Sequence, residues 1–228
     1  MRKNRFRWWH GVVFYAGVQL AQLALRGMVR RWREDEERRT RDEDRRAYEA
    51  KRLPVFAPPG VAFPIAWGIN SLCAIAGGLH VLNLAPERRG RSEFLRLQAA
   101  AWILYALFDT AYFGLRSPIN AALVTFAYTG VTAASLDVAL CRMREPKAAL
   151  SLATTAAWLV LANPVAVTQA AWNRDPFWEA GPFCDPPAGW EKLRGSAEAM
   201  RLEAKTETAE GEDAGGGEEE MGEGFERH

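Results

Sequence analysis

The sequence predicts an all-α integral membrane protein, a five-transmembrane-helix bundle over residues 1–175 with a charged loop at 30–53, followed by a polar, largely disordered acidic C-terminal tail over 176–228. Three observations predict it. Charge is segregated: nearly all Lys, Arg, Asp and Glu lie in the first seven residues, in Arg30 to Arg52, in short connectors and beyond Trp172. The stretches between are apolar, each close to the ~20 residues a helix needs to cross ~30 Å of hydrocarbon. Beyond Trp172 the composition turns to Pro, Gly and Glu, and runs such as Gly215 to Glu220 carry too little apolar surface to fold.

The first span runs from about Trp8 to Val29, behind the basic start Arg2, Lys3, Arg5 and Arg7. No small-x-small cleavage site follows it, so it reads as a retained helix rather than a signal peptide. From Arg30 to Arg52 acids precede bases by four residues at Glu34 and Arg38, Asp35 and Arg39, Glu37 and Arg41, and Asp42 and Arg46. Each such pair adds ~0.2–0.5 kcal/mol to a helix, so this run reads as a solvated helical extension of the first span.

The second span starts after Pro58 and Pro59 and covers about Ala62 to Leu82, with Pro64 in its first turn, where the missing N–H does no harm. The third covers about Phe94 to Leu115. The fourth follows the Arg116-Ser117-Pro118 turn, from Ile119 to Cys141, and the fifth runs from Ala148 to Trp172. Short connectors make successive spans antiparallel. The first loop, third loop and tail together hold more bases than the opposite side, which places the tail in the cytoplasm. Phe177, Trp178, Phe183 and Trp190 suit the headgroup layer, and Gly189 to Lys205 reads as a short surface helix ahead of disorder from about Thr206.

Composition also excludes several function classes. Cys73, Cys141 and Cys184 are far apart and form neither a CxxC nor a His/Cys set at metal-ligand spacing, so no zinc site or disulfide framework follows. The arginines of the first loop are nearly matched by acids, which leaves no basic surface for nucleic acid. There is no paired nucleophile and base and no phosphate loop, so the chain reads as a non-enzyme. His10 and His80 fall near span ends and read as interfacial rather than axial haem ligands.

Polar and aromatic side chains recur at helical spacing inside the spans. The third carries Gln98, Trp102, Tyr105, Asp109, Tyr112 and Arg116 on one face. The first carries Tyr15, Gln19, Gln22 and Arg26; the fourth Thr125, Tyr128, Thr132 and Ser135; the fifth Trp158, Ala162, Val165, Gln169 and Trp172. Such stripes serve either as glue between helices or as the lining of an internal site. Trp67, Trp102, Tyr105, Phe108, Tyr112 and Trp158 supply flat apolar walls with a few polar tips, which favours a pocket for a planar or hydrophobic ligand. Asp109 is a carboxylate within or at the end of a span, with Arg26 or Arg116 as its expected partner.

The stretch Pro54-Val55-Phe56-Ala57-Pro58-Pro59-Gly60-Val61-Ala62-Phe63-Pro64-Ile65-Ala66-Trp67 carries most information. Its prolines hold the loop extended until Pro59 has passed, and Phe56 and Phe63 are placed to fold over the mouth of the bundle. It resembles the tryptophan-rich sensory protein family, TspO/MBR, whose pattern is close to P-x-F-x-P-P-x-W-x-F-x-P-V-W-T. Pro54, Phe56, Pro58, Pro59, Phe63 and Trp67 match; Pro64 stands one residue early and Val61 replaces a Trp. Leu104 to Asp109 and Tyr112 to Leu115 continue the likeness more loosely, and Trp158 and Trp172 sit where the last family helix carries two tryptophans. Gly68, Ser71, Tyr105 and Phe108 depart from the family's Thr, Tyr, Asn and Trp, which marks a divergent member.

The resemblance implies a multi-pass protein of a bacterial plasma membrane or mitochondrial outer membrane that binds a hydrophobic or tetrapyrrole-type ligand. A porphyrin or haem is the implied ligand, no cofactor is required, and the role is that of sensor, carrier or regulator. The implied pocket draws on Phe56, Pro58, Phe63, Trp67, Ser71, Trp102, Tyr105, Phe108, Asp109, Tyr112, Trp158 and Ala162. Lipid and the small molecule are the expected partners. Family members often dimerise, though no GxxxG motif marks a helix for it. A membrane scaffold and, behind it, a porphyrin-degrading enzyme are the alternatives. No sterol motif of the L/V, Tyr, Lys/Arg type is found from the fifth span onward, since no Tyr follows Tyr128.

Overall fold

The computed structural model describes residues 5–32 and 41–192, and its compact unit runs to Glu191, past the expected boundary at residue 175. Of the expected tail over 176–228 only 176–192 is described; the rest of it, most of the surface helix at Gly189 to Lys205 and most of the four-apart charge pairs of the first loop lie outside the described residues.

Six α-helices are present among the described residues: α1 (Trp8–Trp32), α2 (Arg41–Glu49), α3 (Ala62–Leu82), α4 (Arg91–Asp109), α5 (Pro118–Asp137) and α6 (Pro146–Trp172). The described residues hold no strand beyond two isolated bridges, Pro54 with Glu191 and Asp175 with Ala180. Trp8–Val29, Ala62–Leu82, Pro118–Arg142 and Pro146–Trp172 are long and apolar enough to cross a membrane; α4, with Arg91, Glu93, Arg96 and Asp109, does not reach that apolarity. Large apolar side chains face outward along the bundle, among them Val13, Leu20, Ile65, Leu72, Leu123, Phe126, Leu150 and Val160. A helix apolar on its outer face as well as its inner one suits lipid, not water.

Local chemistry sets the helix ends. The Ala62 N–H bonds the Pro59 carbonyl at 2.9 Å, starting α3 directly after the prolines. At the other end Arg91 donates to the carbonyls of Val81 (3.1 Å) and Leu82 (3.0 Å), satisfying acceptors that a helix terminus leaves open. The Asn83 amide exchanges hydrogen bonds with the Phe6 backbone, 2.9 Å to its N–H and 2.8 Å to its carbonyl, and so ties the start of α1 to the end of α3.

Both α4 and α5 finish in a π-helical turn, Thr110–Gly114 and Val138–Arg142. Each turn closes on an arginine in the left-handed region, Arg116 (φ 56°) and Arg144 (φ 52°), and a helix with proline in its first turn follows. Proline suits that position because its missing N–H would have no partner there. In α6, Pro164 stands inside the helix, where the neighbouring Asn163 side chain bonds the Leu159 carbonyl at 2.7 Å and Thr129 of α5 at 2.9 Å.

Helix α6 packs along both α5 and α3. Close approach to α3 depends on Gly77, where a Cβ would overlap Ser151. One apolar cluster, Val81, Phe94, Val138, Ala139, Met143, Ala148, Ala149 and Leu152, fills the end of the bundle where α3 finishes and α4 starts. The second, Tyr48, Leu53, Ala57, Tyr112, Ala121 and Val165, fills the opposite end, which we call the mouth.

The first loop departs from its expected form. Its described part is not a solvated extension of α1: α2 comes back against α1 through Asp44 and Arg26, and Asp44 and Tyr48 are buried. The Tyr48 hydroxyl donates to the Pro58 carbonyl at 3.0 Å and its ring meets Phe63 edge-on at 4.9 Å, so the charged run turns one face inward over the mouth.

Candidate functional site

Beneath α2 the bundle encloses a cavity of about 470 Å³, inside the range of ~300–1,000 Å³ usual for small-molecule sites. Every helix contributes to it. Gln19, Gln22, Leu23 and Arg26 come from α1; Asp44, Arg45 and Tyr48 from α2; Pro58, Gly60 and Val61 from the loop; Phe63, Pro64 and Trp67 from α3. The end of α4 and its π turn add Leu104, Tyr105, Phe108, Asp109, Tyr112 and Phe113. The remaining walls are Pro118, Ala121, Val124, Thr125 and Tyr128 of α5, and Trp158, Leu159, Leu161, Ala162, Val165, Ala166 and Gln169 of α6.

The walls are ordered by ring contacts. Trp67 lies 5.2 Å from Tyr105 and meets Tyr128 edge-on at 5.6 Å. Across the cavity Phe63 meets Trp158 edge-on at 5.3 Å, and Phe108 lies parallel to Tyr112 at 6.0 Å. Such offset and edge contacts fix ring planes beyond what burial alone does. From α1, Gln19 reaches the Tyr105 hydroxyl (3.3 Å) and Gln22 the Tyr105 carbonyl (3.2 Å), which positions that ring from behind.

Arg26 fastens the mouth from α1. Arg26 grips Asp44 with a single nitrogen at 2.6 and 2.8 Å, its other nitrogen stands 3.4 Å from Asp109, and its guanidinium lies over Phe113 at 5.8 Å. α2 is thereby fastened to α1 and α4. Outside the spans, burial pushes the Tyr48 hydroxyl well above its ordinary pKa, with Glu49 adding to the effect. Burial lowers the Lys51 ammonium, partly offset by Asp175, and Lys51 lies over the Tyr112 ring at 5.9 Å. The hydrogen bonds of Arg52 to Glu191 and then to Asp185 raise its pKa further and draw the segment after α6 onto the loop.

Nine of the expected site residues meet in this cavity: Pro58, Phe63, Trp67, Tyr105, Phe108, Asp109, Tyr112, Trp158 and Ala162. Three do not. Phe56 sits in the Pro54–Ala57 turn, which directs Ala57 inward and leaves Phe56 about 38% exposed. Ser71 is buried one turn after Trp67 and does not line the cavity. Trp102 packs outward against Phe14 and Tyr15 of α1, at 5.2 and 6.3 Å. Asp109 has Arg26 as a partner, one of the two expected.

Sequence reasoning omitted from the site Asp44 and Tyr48, which the charged run disguised, and Gln19, Gln22, Arg26, Tyr128 and Gln169, which it had placed on stripes without assigning them to the cavity. Gln98 of the same α4 stripe bonds Ser135 of α5 at 3.1 Å, so at that level the stripe is glue. Among the described residues, no group of three or more His, Cys, Asp or Glu is placed to hold a metal ion.

A family model described as the TspO/MBR family matches residues 23–171, from the middle of α1 to the end of α6. Among curated proteins, none matches the chain.

Proposed function

The chain belongs to the TspO/MBR family of membrane proteins, and from that premise we propose that it binds a hydrophobic or tetrapyrrole-type ligand, a porphyrin or haem, in the cavity beneath α2, and acts as a sensor, carrier or regulator. The observation that carries this reading is the cavity itself, whose rings from α3, α4, α5 and α6 form flat apolar faces around a space of about 470 Å³. In the same reading α4 with its π turn is the fifth span. Its charges gather at its two ends, and it packs along α1 and α5 within the apolar bundle. In this reading the activity is binding without turnover, and what supports it is that Asp44 and Asp109, the carboxylates of the cavity wall, are both engaged by Arg26.

The test is a tryptophan-fluorescence titration of the detergent-purified chain with protoporphyrin IX and with haem. Saturable quenching is expected at roughly micromolar concentrations. Trp67→Ala removes the ring that touches Tyr105 and Tyr128 and should weaken binding about tenfold. Tyr105→Ala should act in the same direction. Absent quenching, or quenching that both variants leave unchanged, would sink the tetrapyrrole reading.

A further inference from the structure

Two polar groups of the cavity wall have nothing to bond. Tyr112 and Gln169 are 7% and 3% exposed, and the Tyr112 hydroxyl and the Gln169 side-chain nitrogen have no hydrogen-bond partner. They stand close enough to influence one another, Tyr112 on the π turn after α4 and Gln169 near the end of α6, without completing a hydrogen bond. A buried donor left unmade is costly, and native proteins rarely keep one without a use for it. Here two lie together on the wall of a cavity large enough for a ligand.

We propose that Tyr112 and Gln169 form a two-donor subsite that reads a neutral carbonyl oxygen on the bound ligand. This rests on the reading of the cavity as a ligand site given above and narrows that ligand, among hydrophobic or tetrapyrrole-type molecules, to one with a neutral carbonyl at one end. The chemistry follows from the groups: a phenol O–H and an amide NH₂ both donate, so their common partner is an acceptor. That partner is uncharged because a carboxylate buried there would need a free cation. Arg26 is held by Asp44 and Asp109, and the Lys51 ammonium, which burial disfavours, lies over the face of the Tyr112 ring without bonding its hydroxyl. The parallel Phe108 and Tyr112 rings continue the flat wall up to the subsite, so a planar ligand presents its edge oxygen to the two donors.

Three porphyrin probes separate the possibilities when titrated into the detergent-purified full chain at neutral pH: protoporphyrin IX dimethyl ester, which has neutral carbonyls; the free diacid; and etioporphyrin, which has no oxygen. The ester should bind about tenfold more tightly than etioporphyrin, the scale of one or two neutral hydrogen bonds. Tyr112→Phe and Gln169→Leu should each bring the ester down to the etioporphyrin level and leave etioporphyrin unchanged. Tyr112→Phe should also melt at or above the wild-type temperature, because it removes a hydroxyl with no partner. Equal losses for ester and etioporphyrin would overturn the subsite, as would a lower melting temperature for Tyr112→Phe. Diacid binding tenfold tighter than ester binding would overturn the choice of a neutral acceptor. Failure of all three probes to bind the wild type would overturn the cavity reading, and this inference with it.

Discussion

Asp175→Ala is expected to destabilise the protein by on the order of 3–5 kcal/mol, among the largest losses available to a single substitution. The Asp175 carboxylate is fully buried just past α6 and accepts four hydrogen bonds. One oxygen takes the Ser117 hydroxyl at 2.6 Å and the Ile119 N–H at 2.9 Å; the other takes the N–H groups of Phe177 and Trp178 at 2.9 and 3.0 Å. The first pair sits at the N-terminus of α5, where exposed N–H groups favour an anion. The second folds the following turn back on the bundle. Alanine would leave these donors buried and unmet, and each bond to a charged group is worth roughly 1.5–3 kcal/mol net, with less than full additivity. Asp175→Asn keeps one acceptor oxygen but turns an NH₂ toward two donors, so it should fall between wild type and alanine. Thermal unfolding of both variants followed by circular dichroism checks the order; a loss below about 1 kcal/mol for alanine would mean that the knot contributes little.

Arg26→Met is expected to cost roughly 2–3 kcal/mol and to loosen α2 selectively. Removing one partner of a buried ion pair typically costs ~3–5 kcal/mol, and the figure is lower here because Arg26 is a quarter exposed. The penalty is the stranded Asp44 carboxylate, whose side chain is 10% exposed. Adding Asp44→Asn to Arg26→Met should therefore recover most of the loss, since no buried charge then lacks its cation. Hydrogen exchange should show faster exchange of the amides from Glu43 to Glu49, with those of α5 and α6 unchanged. Uniform acceleration through the whole bundle would place Arg26 in the general stability of the fold rather than in a latch on the mouth.

The helix pattern was largely legible because proline and length dictate it. Ala62–Leu82 has the expected ends, since Pro58 and Pro59 forbid an earlier start and the apolar run stops at Asn83. The π turns were not legible. Their i to i+5 bonds, such as Leu115 to Thr110 at 2.8 Å, are set by the left-handed arginine and the proline that follow, and apolar periodicity carries no trace of them. The α4 stripe carried Trp102 with it because spacings of four and three put residues on one helix face without saying which neighbouring helix each meets along its length. Gln98 and Trp102 face α5 and α1, while Tyr105, Asp109 and Tyr112 reach the cavity. α2 was misread because its density of opposite charges suits a solvated helix; the long-range partners of Asp44 and Tyr48, at Arg26 and Pro58, have no local signature.

Of the rings in the family pattern, Phe63 and Trp67 line the cavity, while the turn leaves Phe56 exposed. The pattern placed Tyr112 in the pocket without setting it apart as an unmet donor, and it left Gln169 out. Their missing partners are a property of three-dimensional placement alone.

The central claim, that the space beneath α2 receives a hydrophobic ligand, is tested most directly by filling it. Ala162 lines the cavity on α6, between Trp158 and Val165, and a large side chain there must project into the space. Ala162→Trp should retain the wild-type melting temperature within a few degrees, because it occupies empty volume without displacing packed atoms. In a fluorescence titration with protoporphyrin IX it should lose at least 90% of the binding seen in wild type, corresponding to roughly a tenfold or greater rise in Kd. Wild-type affinity in a folded Ala162→Trp chain would contradict the account and move the ligand, if there is one, to another surface of the bundle.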